Sequence, residues 1–446
     1  MKKYENYKDS GLEWLGMVPE HWEIMRLKSC SSIILGKMLM SIPPKGQEAN
    51  YSLEKYLKSK NVGWLNLCLD DNAVEEMFFN ETEKELYKLR EGDIVMNEGG
   101  DIGKVALWHD TGYDCYIQNS INKITSSNGV IPAFLTYYLY SVSMSGYFWS
   151  IVSQISIAHL TKEKLANTPI ILPPLTEQRT IASYLDRKVG QIDALISEKG
   201  KMVEDLKAYR SSLITETVTK GLDKEVEMKD SGVEWIGRIP STWKSSKIGR
   251  IYSDIGSGTT PDSNNNLYYK EDGFNWLQTG DLTDGYITET SRHISQLAID
   301  EKHMRFYPVD SIVVAMYGAT IGKVGFLKIE TSTNQACCVL PPSENMDAMY
   351  MFYMMQASKE ILISNSIGGG QPNISQSIIK EHIIPVPPLR IQKEIALYLQ
   401  NKIGKIVSIL SEQEHQLSDL KSYKSSLITE AVTGKIDLRD WQTKKS

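Results

Sequence analysis

Along two stretches of this chain the apolar positions fall on a narrow seam. In the first they are Ile192, Ile196, Val203, Leu206 and Leu213; in the second, Ile406, Leu410, Leu417, Leu420 and Leu427. Steps of three, four and seven are heptad spacing, so each stretch is predicted to be a long helix whose thin stripe needs a partner helix. Lys199 and Gln413 are the polar seam positions. Ahead of each seam the pattern predicts a shorter helix. In the first copy it follows Pro173-Pro174, with Thr176 as N-cap and Glu177 in the first turn. A kink or break is expected at Gly190 and at its equivalent, Gly404.

The two stretches are copies of one another. Pro173-Pro-Leu-Thr-Glu-Gln178 matches Pro387-Pro-Leu-Arg-Ile-Gln392, and Ser211-Ser-Leu-Ile-Thr-Glu216 matches Ser425-Ser-Leu-Ile-Thr-Glu430. Earlier in each copy, Lys8-Asp-Ser-Gly-Leu-Glu-Trp-Leu-Gly-Met-Val-Pro19 recurs as Lys229-Asp-Ser-Gly-Val-Glu-Trp-Ile-Gly-Arg-Ile-Pro240, with Trp22 matching Trp243. An internal repeat decides the architecture: one unit is built twice.

Between the repeated blocks, residues 20–172 and 241–386 diverge. Both read as mixed α/β, with short apolar runs such as Ile94-Val-Met96 and Ile312-Val-Val-Ala315 between glycine-rich turns. Three landmarks align the inserts: Gly63-Trp-Leu-Asn66 with Asn275-Trp-Leu-Gln278, Gly103-Lys-Val105 with Gly322-Lys-Val324, and His159-Leu-Thr161 with Asn373-Ile-Ser375. The turns Glu98–Gly103, Gly256–Pro261, Tyr317–Gly322 and Gly368–Asn373 either bring backbone and polar groups close to a ligand or are plain hairpin turns. Between Lys123 and Lys162 no Lys, Arg, Asp or Glu occurs, but serines and glycine interrupt the stretch. The matching Met349–Ile363 carries Lys359 and Glu360, so both are expected to be buried amphipathic helices and not membrane spans.

The expected segments are therefore 1–19, 20–172, 173–222, 223–386 and 387–446. The copies are staggered: after the second helical block the chain stops, and its missing continuation stands at the other end, as residues 8–19. The N-terminal segment is expected to dock beside the C-terminal helix end, closing a pseudo-two-fold ring in which the two long helices run antiparallel.

The 446 residues carry 49 Lys+Arg and 55 Asp+Glu, a net charge of −6. Residues 20–172 hold 14 basic and 18 acidic side chains and residues 241–386 hold 11 and 15, so each insert is −4. That balance argues against a self-sufficient nucleic-acid binder, which would carry a basic excess. The five cysteines form no CxxC pair, and Met1–Gly11 is polar and unlike a signal peptide. No Gly-Lys-Ser/Thr phosphate loop, HExxH, Gly-x-Ser-x-Gly or base-methylation Asn/Asp-Pro-Pro-Tyr/Phe occurs. The sequence therefore points away from an enzyme, a metal site or a resident cofactor.

The doubled Pro-Pro-Leu…Gln, the doubled Ser-Ser-Leu-Ile-Thr-Glu and the doubled Lys-Asp-Ser-Gly-x-Glu-Trp-x-Gly-x-x-Pro resemble the specificity (S) subunit of type I restriction–modification systems, over essentially the whole chain. Arg390-Ile391 departs from Thr176-Glu177 of the first copy and weakens the capping expectation there. The resemblance implies an α+β chain with two α/β target recognition domains separated by a two-helix antiparallel coiled-coil spacer. Each domain would read one half of a bipartite, asymmetric site on double-stranded DNA. A helix of ~30 residues spans ~45 Å, a little over one turn of B-DNA at ~34–36 Å, though any antiparallel coiled coil has this size. Partners implied are two methyltransferase (M) subunits binding S-adenosylmethionine and two restriction (R) subunits using ATP and Mg, in the cytoplasm. The S subunit itself would perform no chemistry.

Direct readout uses polar side chains on base edges. The candidates are Lys37, Asn66, Asp101, Asn119 and His159 in the first domain. In the second they are Ser257, Thr259, Thr260, Gln278, Tyr317, Thr320, Gln371 and Asn373. Each is equally suited to a turn or a phosphate contact. With neither insert basic, weak DNA binding by the chain alone is expected. Two other functions fit the same residues: a stand-alone two-headed DNA-binding regulator, or the detached specificity module of a nuclease–methylase. Co-purification with a methyltransferase separates them.

Overall fold

The structure is a computed structural model and describes residues 2–70, 72–152, 159–366 and 373–441. The chain forms two compact units, 1–199 with 416–446, and 200–415. Each unit holds one stretch of each long helix.

In the first unit a four-stranded antiparallel sheet runs in the order Ser31–Leu35, Ile121–Ser126, Ile94–Asn97, Val105–Leu107. A second sheet orders Glu75–Asn80, Tyr51–Leu57 and Tyr116–Ile117, the last pair parallel. Strand alternation sends successive residues of the central strand to opposite cores. Ile94 and Met96 pack with Phe134, Leu135 and Leu139. Val95 packs with Leu57, Trp108 and Ile117. A strand covered on both faces is apolar throughout, which explains the continuous run in the sequence.

The second unit repeats the plan. Gly256–Ser257, Cys337–Leu340, Ile312–Ala315 and Val324–Leu327 form the equivalent sheet, with Gly285–Ile287 added at its edge. The other sheet orders Arg292–Ile294, Tyr269–Leu277, Thr331–Thr333 and Phe306–Tyr307.

The charge-free stretch folds as a helix, Pro132–Met144, with proline in its first turn. Residues 134–143 are buried without interruption, so every face of this helix is covered between its ends, and it is not amphipathic as expected. Its counterpart, Ala348–Ala357, is capped by Asp347, whose carboxylate accepts from the Tyr350 N–H at 2.9 Å. No helix among the described residues is long and apolar enough to cross a membrane.

The long helices span Leu175–Lys220 and Leu389–Val432 without interruption. At 46 and 44 residues they are about 69 and 66 Å long, well beyond the expected ~45 Å. The two helices run straight through Gly190 and Gly404, which do not break them. A helical glycine costs only about 1 kcal/mol, less than the packing of the flanking turns returns. Nor is Thr176 the N-cap: the Gln178 N–H already bonds to the Pro174 carbonyl, placing Thr176 inside the first turn.

The repeated motifs have structural reasons. Buried Gln178 accepts from the Ile131 N–H (2.8 Å) and donates to the Pro173 carbonyl (2.8 Å). Gln392 does the same with the Asp347 N–H (2.8 Å) and the Pro387 carbonyl (2.9 Å). In both copies this glutamine ties the start of the long helix to the start of the buried one. Gly221 and Gly434 end the long helices with φ of +81° and +71°. A Cβ on Gly434 would lie 2.3 Å from Pro19 Cδ and 3.2 Å from the Trp22 ring; one on Gly221 would lie 3.1 Å from the Trp243 ring. Within the first unit the Tyr7 hydroxyl donates to the Gly434 carbonyl at 3.0 Å, and the Asp437 N–H to the Lys2 carbonyl at 2.9 Å.

Candidate nucleic-acid interface

At one edge of each sheet the main chain forms the same frame. In the first unit the Gln118 N–H donates to Leu57 O (3.0 Å), Glu98 N–H to Ser120 O (2.9 Å), and Leu160 N–H to Glu98 O (2.7 Å). In the second, Asn334 N–H donates to Leu277 O (3.0 Å), Met316 N–H to Ala336 O (2.8 Å), and Ile374 N–H to Met316 O (2.7 Å). The strand entering each frame passes through a glycine. A Cβ on Gly36 would lie 2.4 Å from Gln118 O, and one on Gly258 1.7 Å from Thr333 O. Only glycine permits this approach.

The frame carries different side chains in the two units. The first rim presents Lys58, Ser59, Glu98, Gln118, Asn119, Ser120 and His159. The second has, at the same places, Gln278, Thr279, Met316, Asn334, Gln335, Ala336 and Asn373, of which Met316 and Ala336 are buried.

This equivalence corrects one landmark. Trp276-Leu277 pairs in parallel with Ser332-Thr333, as Tyr56-Leu57 pairs with Tyr116-Ile117. Each is followed by a one-turn helix, Thr279–Asp281 or Ser59–Asn61. Gln278 therefore matches Lys58 and not Asn66. Asn66 instead lines a separate cleft of about 380 Å³ with His109, Tyr137 and Asp186. The other two landmarks agree with the frame.

Lys37 is not available to a base edge. Its side chain is only 7% exposed; its ammonium donates to Phe78 O at 2.7 Å, pairs with Glu83 at 2.5 Å, and lies over the Phe79 ring. An ammonium buried in this way is held by its partners. Its main chain does serve the rim, accepting from the Asn119 N–H at 2.8 Å.

His159 is half exposed, with Nδ1 2.8 Å from a Glu98 carboxylate oxygen. Asn119 is half-buried and takes a hydrogen bond from the Gln118 amide. Asp101 is exposed on the Glu98–Gly103 turn and paired with Lys104. In the second unit Thr259 is half-buried, its N–H bonded to Thr333 O and its carbonyl to the Trp276 ring N–H. Exposed Thr260 donates its hydroxyl to Gln335. Gln278 is half-buried, Tyr317 and Thr320 are half-buried on the matching turn, and Asn373 is exposed. Ser257 is half-buried on its strand, its carbonyl accepting from Tyr307. Gln371 lies outside the described residues.

Sequence reading missed Gln118, Ser120, Asn334 and Gln335. A signal was present in the first copy only: Gln118-Asn-Ser120 breaks the apolar run between Tyr116-Ile117 and Ile121, whereas Asn334-Gln335 follows the polar Thr331-Ser-Thr333.

Electrostatics on the first rim are restrained by an acid. Lys58 and Lys60 converge on Glu75 at 2.7 and 2.8 Å. Their hydrogen bonds, joined by that of Tyr56, hold the Glu75 carboxyl down to about 2. Two cations that could meet phosphate are thus neutralised in place. Among the described residues no group of three or more His, Cys, Asp and Glu is placed to hold a metal ion.

Two polar rims of this kind, each on an α/β domain flanked by a long helix, define a duplicated recognition module. The family model for the type I restriction modification DNA specificity domain matches residues 19–204 and again 240–418. The chain belongs to this family of type I restriction–modification specificity subunits and carries its domain twice. It is 26% identical to the type I restriction enzyme MjaVIII specificity subunit of Methanocaldococcus jannaschii, over 98% of this chain and 97% of that one. It is 20% identical to the EcoKI specificity subunit of Escherichia coli, over 94% and 90%. Its fold is shared, at a TM-score of 0.69 and 16% identity over 94% of this chain and 99% of the other, with a chain solved in work on complex assembly and conformational transition of the type I R-M system.

Proposed function

We propose that this chain gives a type I restriction–modification complex its DNA sequence specificity, each rim reading one half of a bipartite, asymmetric site on double-stranded DNA. The observation that carries the reading is the identical main-chain frame carrying a different set of side chains in each unit, Glu98, Gln118 and Ser120 in one and Met316, Asn334 and Ala336 in the other. One scaffold, used twice with different readers, is what two unlike half-sites require. The two long helices act as an antiparallel coiled-coil spacer, closed by the N-terminal hairpin. Buried Ile192, Val203, Ile406, Leu410 and Leu427 support this, as do Lys199 bonded to Gln416 (2.6 Å) in the first unit and Lys207 paired with Glu414 (3.3 Å) in the second. The chemistry belongs to partners: two methyltransferase subunits with S-adenosylmethionine, and two restriction subunits with ATP and Mg. The complex works in the cytoplasm.

The test is methylation-sensitive sequencing of a host carrying the whole system, with wild-type chain and with Thr260→Ala combined with Gln278→Ala. A bipartite motif is expected, relaxed by the double substitution only in its second half. An unchanged second half sinks the assignment of those residues, and a motif with no two-part structure sinks the reading.

A further inference from the structure

The three most exposed large apolar side chains among the described residues are Ile42 (81%), Met38 (74%) and Leu267 (71%). They occupy the same loop in the two units. Each loop leaves the rim just after its close-approach glycine and leads through a one-turn helix, Glu48–Asn50 or Asn266–Tyr268, into the long outer strand. The loops are ordered by their own main chains. The Gln47 N–H donates to Pro44 O, and Met40 O accepts from the Phe78 N–H at 3.0 Å. In the second loop the Asn265 N–H donates to Asp262 O, and the Leu267 carbonyl accepts from the Ser295 hydroxyl at 2.7 Å. Met38, Leu39 and Ile42, all exposed on one ordered loop, form the kind of clustered apolar surface that marks a contact site, and Leu267 stands on the matching loop of the second unit.

The placement says what meets it. Each loop begins at a residue bonded to the rim: Lys37 O takes the Asn119 N–H, and Thr260 bonds Gln335. In the first loop Leu39 is also exposed, at 58%, and Ser41, Lys45 and Gln47 supply polar neighbours; in the second the neighbours include Ser263, Asn264 and Asn266. Exposed apolar side chains on ordered loops beside the polar rim match the wedges by which proteins part base steps.

Resting on the half-site reading above, we propose that Ile42 with Met38, and Leu267, are apolar wedges that insert against the base stack of bound DNA, one at each half-site. Each wedge gives its half-site a preference for an easily unstacked step, read without hydrogen bonds.

The test uses the full complex with its methyltransferase subunits. The cognate duplex carries 2-aminopurine walked through both half-sites and their flanks, the target adenines being left intact. Emission is expected to rise at one position in or beside each half-site. Ile42→Ser with Met38→Ser removes the first rise alone and Leu267→Ser the second alone, each weakening binding about tenfold. All are surface changes, and unaltered melting temperatures exclude misfolding. A flat emission profile under a footprint covering both half-sites overturns the wedges and leaves the half-site reading intact. Loss of the methyltransferase from the variant complexes with emission unchanged also overturns them, by assigning the loops to protein docking. Absence of any footprint at a bipartite site refutes the half-site reading and the wedges together.

Discussion

The Tyr4 hydroxyl donates a hydrogen bond to Glu177 at 2.9 Å, joining the N-terminal segment to the first turn of a helix 173 residues further on. The Trp22 ring N–H donates to the same carboxylate oxygen at 3.1 Å, and His21 Nε2 lies 2.7 Å from the other. Burial, with the carboxylate beside it, raises the Tyr4 phenol well above its ordinary range, so it stays a donor at every physiological pH. Replacing Glu177 with Leu leaves a buried phenol and a buried indole N–H without an acceptor. The expected loss is about 2–3 kcal/mol in urea unfolding, with Glu177→Gln losing less because it keeps an acceptor oxygen.

Lys37 and Glu83 form a mostly buried pair. Lys37→Ala should destabilise the chain by about 3 kcal/mol instead of altering one base preference. Lys37→Met with Glu83→Leu should recover much of that loss, since no charge is then left without its partner. A double-mutant cycle on unfolding free energy measures the coupling.

Glu75 restrains Lys58 and Lys60 at the first rim. Glu75→Gln should free both for phosphate. Binding of the isolated chain to non-cognate duplex should strengthen, and the slope of log affinity against log salt should steepen by one to two units. Fluorescence anisotropy across a salt series reports both. Unchanged slope would place these lysines away from the DNA.

His382 is buried against the Trp235 ring, 5.1 Å between centroids, and its Nε2 has no hydrogen-bond partner. Burial pushes it from an ordinary value near 6.5 down to about 4. The unfolded chain therefore takes up this proton at a higher pH than the folded chain does. Its contribution to stability is complete above about pH 6.5 and is lost as pH falls towards 4, to a total of up to about 3 kcal/mol. His382→Phe should remove that part of the pH dependence, so the wild-type urea midpoint should fall relative to the variant's between pH 7.5 and 4.5.

What the sequence made legible was whatever repeats. Gln178 and Gln392, Gly221 and Gly434, Trp22 and Trp243 are duplicated because each fills an identical packing requirement, and identical requirements leave identical letters. Divergent positions misled. Trp64-Leu65 looked like Trp276-Leu277, but the partner strand shows Tyr56-Leu57 to be the match. Register is set by pairing, which one strand's letters do not contain. Gly190 and Gly404 misled for another reason: local propensity favours a break, and the packing on both sides overrides it. Lys37 was misread because a lysine inside a domain is rare, and only its partners Glu83 and Phe79 reveal it.

The frame that holds each rim is made of main-chain hydrogen bonds, Glu98 to Ser120 in one unit and Met316 to Ala336 in the other. Such bonds make no demand on the identity of the side chains they carry. The exposed and half-buried rim positions, such as Gln118, Asn119, Asn334 and Gln335, can therefore be exchanged without unfolding the domain behind them, while buried Met316 and Ala336 cannot. On the function proposed above, a new half-site preference needs changes at only a few such positions.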